Sequence, residues 1–221
     1  MRMGSRSSRG SVGTGTREGR DNRVEGAEAR LVVLASGQGR VFAALAQACT
    51  ELNLPLEIAG LIASRPNIGA QEVARAHGIT ETVINKKDFA TEMEWDRLLC
   101  EQIESWGADW VLLSGYLTKL GPIVLDVYKN RVLNTHPSLL PKYGGKGMYG
   151  RRVHEAVIAA GDKVTGITLH LVNHDYDEGP ILAQHEVPVR PGDTPESLEM
   201  RVVEAEKRFV VETLTALCRP Q

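Results

Sequence analysis

Short apolar runs alternate with segments of helical periodicity along most of this chain, from residue 31 to residue 217. The first run, residues 31–35, is apolar at every position, as expected of a strand that is buried on both faces. A glycine-containing turn follows, and residues 41–52 then carry apolar side chains at helical spacing. Strands that alternate with helices form right-handed βαβ units around a mainly parallel sheet. The alternation therefore predicts an α/β protein.

The complete pattern favours one α/β architecture. We expect a Rossmann-like, doubly wound, mainly parallel sheet that ends in an antiparallel strand pair and is followed by a long C-terminal helix. Thr194 is a suitable N-cap for that last helix. The predicted strands cover residues 31–35, 56–63, 82–84, 110–113, 131–133, 166–172 and 180–187, and the predicted helices cover residues 41–52, 70–77, 89–105, 152–160 and 195–217.

The composition is that of an ordinary globular protein. At 221 residues, with 42% hydrophobic and 24% charged residues, the chain can bury one sizeable core. A net charge of −2 gives no reason to expect a nucleic acid or an anionic membrane as the main partner. No apolar stretch is long enough to span a bilayer, and the three cysteines are widely spaced. These features favour a cytoplasmic protein.

Residues 1–29 differ from the rest of the chain and predict a disordered leader. They are rich in Gly, Ser, Thr and Arg, and they contain almost no large apolar residue, so burial cannot offset the entropy of ordering them. Their basic start is similar to an organelle transit peptide, although acidic residues interrupt it, so an organelle stays an alternative. We assign residues 30–221 to a single folded domain.

An octet after the fifth predicted strand has the composition of an active-site loop. It reads Asn-Thr-His-Pro-Ser-Leu-Leu-Pro from residue 134 to residue 141. Asn134 and His136 are two residues apart, so a loop that keeps the spacing of a strand aims both side chains into one space. There an amide N–H and an imidazole N–H can bind one developing oxyanion. Two prolines stiffen the backbone, which predicts a rigid site at the carboxyl end of a strand.

The turn Gly37-Gln38-Gly39 lies between the first predicted strand and the first predicted helix. Glycines at this place let backbone N–H groups reach an anion at a helix N-terminus, and a phosphate is the natural ligand. Arg40 adds a cation beside the turn. A dinucleotide is disfavoured because Phe42 takes the place of the third glycine and the second strand ends without an acidic residue. A tight turn without a ligand stays an alternative.

Three further polar residues lie near the last two predicted strands. Asp177 is in a turn, where acids are usually solvated, but beside His136 its carboxylate would favour the charged imidazole. His170 and His174 have a spacing that suits a metal ion on a helix. The alternation around them predicts a strand instead, on which four residues span about 13 Å. We therefore expect no metal site and interpret His170 as a packed or hydrogen-bonded strand residue.

The assembled motifs resemble those of the formyltransferases that use 10-formyltetrahydrofolate, above all the members that act on phosphoribosylglycinamide. Several motifs in the right order are more specific than any one of them, and together they cover about residues 31–217. The resemblance implies a formyltransferase catalytic domain at residues 30–221 that formylates the glycinamide amine in purine biosynthesis. The motifs are Ser36-Gly37-x-Gly39, Ser114-Gly115-Tyr116-Leu117, the octet, Lys142-Tyr143-x-Gly145 and Asp177-x-Gly179-Pro180.

The resemblance also implies roles for single residues. His136 would be the general acid and oxyanion partner, Asn134 would hold the formyl oxygen, and Asp177 would raise the pKa of His136 and help to organise a proton-shuttling water. Two small molecules would be the partners, no metal would be needed, and the protein would be a monomer or a homodimer. The phosphate and ribose of the substrate would bind at Gly37, Gly39, Arg40, Val41 and Glu206. The folate would bind at Leu117, Thr118, Lys119, Leu120, Asn134, Val172 and the 173–177 loop.

Two departures from the family pattern leave alternatives open. Arg40-Val41 replaces the Ser-Asn that usually follows the second glycine, and Val203 replaces a polar residue that often contacts the phosphate. Phosphate binding would then depend on Arg40 and on backbone N–H groups, or the acceptor would be another amine, such as an amino sugar. A catalytically silent folate- or phosphate-binding protein is the alternative from another class.

Overall fold

The computed structural model describes residues 29–52, 54–175 and 177–218. The predicted leader lies outside the described residues, except for Ala29, which begins the first strand. The strands are β1 (Ala29–Ala35), β2 (Leu56–Ala63), β3 (Glu81–Val83), β4 (Trp110–Ser114), β5 (Val132–His136), β6 (Val164–Leu171) and β7 (Ile181–Pro188). The helices are α1 (Arg40–Glu51), α2 (Gly69–Ala76), α3 (Glu92–Ser105), α4 (Pro122–Val127), α5 (Arg151–Ala160) and α6 (Pro195–Leu217), with a short 3-10 helix at Lys86–Asp88.

The strands form one sheet in the order β3-β2-β1-β4-β5-β6-β7. The strands from β3 to β5 pair in parallel, whereas β6 is antiparallel to β5 and β7 is antiparallel to β6. The predicted mainly parallel, doubly wound sheet with an antiparallel C-terminal pair is confirmed. The strand order reverses between β1 and β4, so a crevice opens at the carboxyl ends of these two strands.

Both faces of the sheet are covered, which explains the continuous apolar runs in the sequence. In β1, Leu31 and Val33 pack into a core formed with α1, α2, α5 and α6. Val32 and Leu34, which alternate with them, pack into a second core formed with α3 and α4. Each of the four side chains is at most 1% exposed. The long helix α6 packs on α1, on α5 and on the antiparallel strand pair, so it borders the carboxyl-end crevice.

The first part of the octet belongs to a strand, and the prediction of a loop at that point is wrong. Strand β5 continues through His136, so Asn134 and His136 lie on the strand itself. It is longer than its apolar run indicates because β6 pairs with it, with Asn134 opposite His170 and His136 opposite Thr168. The two side chains still share one face, since that follows from their spacing.

Two helices also differ from the pattern in the sequence. Helix α3 begins at Glu92, three residues later than predicted, because Thr91 and Glu94 form a capping box that fixes its start. Helix α4 has six residues and is not predicted at all. Its N-terminus is capped from a distant part of the chain, since the backbone N–H of Ile123 donates to the buried carboxylate of Asp96 at 2.7 Å.

Gly39 is required by the packing of the turn after β1, whatever ligand binds there. Its φ angle is +70°, a conformation that residues with a side chain rarely adopt. A Cβ at this position would lie 2.8 Å from the Cα of Ala70 in α2. A Cβ at Gly37 would meet no atom within 4 Å. The fold therefore explains Gly39, whereas Gly37 leaves room for the approach of a ligand.

We expect Gly39→Ala to lower the free energy of unfolding by about 2 kcal/mol or more, because it adds left-handed backbone strain and an overlap with Ala70. Gly37→Ala is the matched control and should change the same free energy by less than about 0.5 kcal/mol. Urea denaturation followed by circular dichroism measures both values. Equal stability of the two variants would contradict this account of the turn.

Candidate active site

The predicted site residues line one cavity of about 470 Å³ at the carboxyl ends of β1, β4 and β5. The turn after β1, the loop after β4, strand β5, the segment after β6 and helix α6 all contribute to its wall. The structure brings together every residue of the predicted set, namely Gly37, Gly39, Arg40, Val41, Leu117, Thr118, Lys119, Leu120, Asn134, His136, Val172, Asp177 and Glu206. Their individual roles stay predictions.

His136 is buried, and both of its ring nitrogens have polar neighbours. Nε2 lies 2.7 Å from the carbonyl oxygen of Tyr143, which can only accept a hydrogen bond, so Nε2 carries a hydrogen. Nδ1 lies 3.6 Å from Oδ2 of Asp177. Nδ1 is therefore the nitrogen that gains and loses a proton, and it does so beside a carboxylate.

Opposing effects act on the pKa of His136. Burial is the largest and lowers the pKa below 6.5, whereas Asp177 and the carbonyl group of Tyr143 raise it. The carboxylate thus acts in the direction predicted from the sequence, but burial outweighs it. The resting imidazole is neutral at neutral pH, and its charged form is stabilised where Asp177 faces Nδ1.

Asp177 holds its carboxylate between two histidines. Oδ2 accepts a hydrogen bond from the backbone N–H of Gly145 at 2.9 Å, and Oδ1 lies 3.6 Å from Nε2 of His170. The residue has a φ angle of +55°, in the left-handed region that Asp tolerates better than most residues. These contacts tie the segment after β6 to the loop after β5, so this acid is not a solvated turn residue.

His170 contributes to the site, although its sequence pattern indicates a packed strand histidine. Its Nδ1 lies 2.9 Å from the carbonyl oxygen of Leu171 and therefore donates. In the neutral ring Nε2 is then an acceptor, and it takes a hydrogen bond from the side-chain amide of Asn134 at 3.0 Å. The contact orients the amide and leaves its second N–H for a ligand. Strand pairing was the signal that could have revealed this role, because it places the two residues opposite each other.

A single hydroxyl joins the loop after β4 to the turn after β1. Oγ of Ser36 accepts hydrogen bonds from the backbone N–H of Leu117 at 3.0 Å and from Oγ of Ser64 at 2.8 Å. Leu117 itself is 62% exposed, whereas Leu120 is buried. An apolar side chain thus stands free at this end of the cavity, where a flat ring could cover it.

The other end of the cavity combines a helix N-terminus with charged side chains. No side chain caps the first turn of α1 and no acidic residue lies in it, so its N–H groups can bind an anion. Arg40 pairs with Glu199 of α6 at 2.9 Å. Glu206, also on α6, is buried, and burial raises the pKa of its carboxyl group. The two departures from the family pattern, Val41 and Val203, line the cavity as well.

His154 is a second residue of the cavity that sequence reasoning missed. It lies on α5, is 1% exposed and lines the same cavity, and its Nδ1 has no hydrogen-bond partner in the described part of the chain. Burial is the largest effect on its pKa and lowers it below 6.5, while Glu199 raises it. Its position on the buried face of a helix resembles that of an ordinary core residue, so the sequence carries no signal for it.

Within residues 29–52, 54–175 and 177–218, no three His, Cys, Asp or Glu side chains form a group that could hold a metal ion. His170 and His174 do not converge, because β6 ends at Leu171 and His174 lies beyond it, 3.6 Å from Asp126. No helix in these ranges is long and apolar enough to cross a membrane.

Several known proteins with similar sequences or structures are named for the same activity. The family model described as Formyl transferase matches residues 29–214. The chain is 37% identical over 190 residues to the chloroplastic phosphoribosylglycinamide formyltransferase of Arabidopsis thaliana, a match that covers 86% of this chain but 65% of the relative, less than two thirds of its length. It is also 37% identical over 191 residues to phosphoribosylglycinamide formyltransferase of Mycobacterium tuberculosis, with 86% of each chain covered. The crystal structure of glycinamide ribonucleotide transformylase 1 from Symbiobacterium toebii superposes with a TM-score of 0.80 at 33% identity, over 86% of this chain and 87% of that chain.

Three buried histidines of the cavity should make the stability of the fold depend on pH. Burial is the largest effect on the pKa of His136, His154 and His170, and it lowers each value below 6.5. As the pH falls below about 6.5, the unfolded chain therefore binds protons that the folded protein does not, and stability decreases.

We expect the urea midpoint to be constant between about pH 7 and pH 8 and to fall between about pH 6.5 and pH 5. His154→Gln should reduce this dependence by the equivalent of one proton, since it removes one of the three groups. A midpoint that does not change over this range in the unmodified protein would contradict the neutral, buried state of the histidines.

Proposed function

The chain belongs to the formyl transferase family, and on this premise we propose that it transfers a formyl group from 10-formyltetrahydrofolate to the glycinamide amine of 5-phosphoribosylglycinamide, a step of purine biosynthesis. The observation that carries the proposal is the placement of Asn134 and His136 on one face of β5, with Asp177 beside the imidazole. The activity named for the relatives from Arabidopsis and Mycobacterium supports the choice of substrates.

The proposed reaction forms one C–N bond and breaks another. The neutral amine of the acceptor attacks the formyl carbon, and the carbonyl electrons move to oxygen to give a tetrahedral oxyanion. When the C=O bond forms again, N10 of the folate leaves with its electron pair and takes up a proton. The new amide nitrogen loses a proton. The protein must therefore stabilise an oxyanion and assist the movement of a proton between two nitrogens.

Asn134 and His136 are suited to these two tasks. The amide of Asn134 keeps one N–H for the oxyanion, since His170 accepts the other. A good donor to an oxyanion stabilises the transition state by about 3–4 kcal/mol. His136 takes up the mobile proton at Nδ1 and donates it from its charged form, and general acid assistance of this kind contributes about 100-fold or more to the rate.

Asp177 has two parts in the proposed mechanism. Its carboxylate favours the charged form of His136, which is the form that donates a proton. Oδ2 lies 3.6 Å from Nδ1, and the carboxylate has further acceptor positions at which it would hold a water for proton transfer.

Each end of the cavity is suited to one substrate. The exposed Leu117, with Leu120 and Val172 near it, offers apolar surface to the pterin ring of the folate. The uncapped first turn of α1 suits a phosphate, and the carboxyl group of Glu206 suits ribose hydroxyls. Asn134 and His136 lie on the wall of the same cavity, as transfer between the two bound molecules requires.

A second candidate is formyl transfer to another amine, such as that of an amino sugar. Val41 and Val203 favour it, because both line the cavity at the end where the phosphate would bind and neither offers a polar group. The same catalytic residues would serve either acceptor. A cytoplasmic or organellar location and a monomeric or homodimeric state stay predictions from the sequence.

The proposal is tested by incubating the full chain with 10-formyltetrahydrofolate and following the release of tetrahydrofolate, with and without phosphoribosylglycinamide. We expect release that requires the acceptor and that falls by at least about 100-fold in His136→Ala, because the proton donor is lost. Release without an acceptor would indicate a hydrolase. No acceptor-dependent release would reject phosphoribosylglycinamide, and turnover with an amino sugar would then establish the second candidate.

His170→Phe should lower kcat by about 10- to 100-fold, because Asn134 loses the contact that orients its amide toward the oxyanion. The KM values for both substrates should change little, since His170 acts through Asn134. His185→Phe, at an exposed residue of β7 that stacks on Phe209 and lies outside the cavity, is the matched control and should retain full activity. Steady-state kinetics of the two variants measures kcat and both KM values. A His170→Phe protein with normal kcat would exclude this positioning role.

A further inference from the structure

A network of ion pairs lies at the end of the cavity where the acceptor would bind, and it links the three helices α1, α5 and α6. Arg40 at the start of α1 donates to Oε1 of Glu199 on α6 at 2.9 Å. Oε2 of Glu199 lies 3.8 Å from Nε of Arg151 at the start of α5. Arg151 also pairs with Glu196 of α6 at 2.8 Å. Glu199 is thus a carboxylate shared by two guanidinium groups, one on each side.

Two residues of this ion-pair network line the cavity, and the other two do not. Arg40 and Glu199 line the cavity wall, whereas Arg151 and Glu196 do not. Arg40 also acts on the pKa values of both Glu206 and His154, so its guanidinium lies close to the other polar groups of this end. Its side chain is 52% exposed, while that of its partner Glu199 is 21% exposed.

His154 gives an independent sign that a polar ligand belongs at this end. Its side chain is 1% exposed, lines the cavity and is close enough to Glu199 for the carboxylate to affect its pKa. Its Nδ1 has no hydrogen-bond partner among the residues that the structure describes. Buried polar atoms are nearly always paired, so an unpaired one on a residue that lines the cavity is suited to a partner that a ligand supplies.

We propose that Glu199 is an internal counter-ion that occupies Arg40 while the site is empty, and that a phosphomonoester of the acceptor displaces it. Arg40 then turns from Glu199 to the phosphate at the N-terminus of α1, and Arg151 retains Glu199. This exchange rests on the proposed function for the identity of the acceptor. No covalent bond is made or broken, and one arginine moves between two anions.

The second cation beside Glu199, Arg151, makes such an exchange possible. A carboxylate that lost its one cation would be left unpaired at the wall of the cavity, which is costly. Glu199 avoids this cost because Arg151 already lies 3.8 Å away. A dianionic phosphate also attracts a guanidinium more strongly than a carboxylate does and can be held by two parallel N–H donors.

The exchange also acts as a selection among acceptors. A phosphomonoester carries enough charge to replace Glu199 on Arg40, whereas a neutral hydroxyl or amide group does not. The acceptor end of the cavity is therefore specific for amines that carry a phosphate. It disfavours amino sugars without one, even though Val41 and Val203 make its surface less polar than the family pattern.

Titration calorimetry of the full chain with inorganic phosphate and with ribose 5-phosphate tests the proposal. Glu199→Gln should bind both probes roughly threefold more tightly, the scale on which an exposed ion pair contributes. Arg40→Gln should weaken binding by roughly tenfold, as expected for the loss of a charge-assisted contact. Glu204→Gln, which removes an exposed carboxylate paired with Lys207 on the same helix, is the matched control and should bind normally.

The double variant decides between an exchange and a general change of charge. Without Arg40 there is no pair to break, so Arg40→Gln/Glu199→Gln should bind the probes no more tightly than Arg40→Gln alone. Unchanged or weaker binding by Glu199→Gln would overturn the proposal, because it would make Glu199 a support that holds Arg40 in place for the phosphate. Equal gains in the single and double variants would overturn it as well.

The binding test is independent of catalysis. If the probes respond as expected but no formyl group is transferred to phosphoribosylglycinamide, the exchange stands and the proposed function fails. If transfer is observed and Glu199→Gln does not tighten the binding of either probe, the proposed function stands and the exchange fails.

Discussion

The antiparallel pairing of β5 with β6 is the constraint on which the site depends. This register places Asn134 opposite His170, so an imidazole acceptor meets the amide that it orients. The turn after β6 then brings Asp177 within 3.6 Å of both His136 and His170. A shift of the register by one residue would move every side chain of β6 to the other face of the sheet. The geometry of the candidate site is therefore set by the backbone pairing of β5 with β6.

Local patterns in the sequence were sufficient to predict the sheet and the set of cavity residues. Both depend on the strands and on the short segments that come directly after them. The apolar runs located the parallel strands, and the carboxyl ends of such strands meet at one edge of the sheet. Local patterns do not predict contacts between distant segments. Asp96 caps α4 from another helix, and His170 acquires its role from a strand opposite it. His154 and Glu199 look like ordinary helix residues until α5 and α6 are packed beside the turn after β1.

The two ends of the cavity differ in the charge of the side chains that line them. Near β5 the histidines are buried and neutral, and a single carboxylate serves two of them, so a proton can be moved without a large change in net charge. At the start of α1 the groups are charged, partly exposed and paired with one another. The first arrangement suits a reaction in which charge develops briefly, because preorganised neutral donors need little rearrangement. The second suits the binding of a permanent anion.

Ser36 has a consequence for molecules that would span the whole cavity. Its hydroxyl accepts hydrogen bonds from the backbone of Leu117 and from Ser64, so the loop proposed to contact the folate and the turn proposed to contact the phosphate are joined inside the protein. These bonds restrain the distance between the two proposed binding regions. A compound that joins a flat ring to a phosphate would therefore need a linker whose length equals this distance. A stiff linker of that length would bind more tightly than a flexible one, because less entropy is lost on binding.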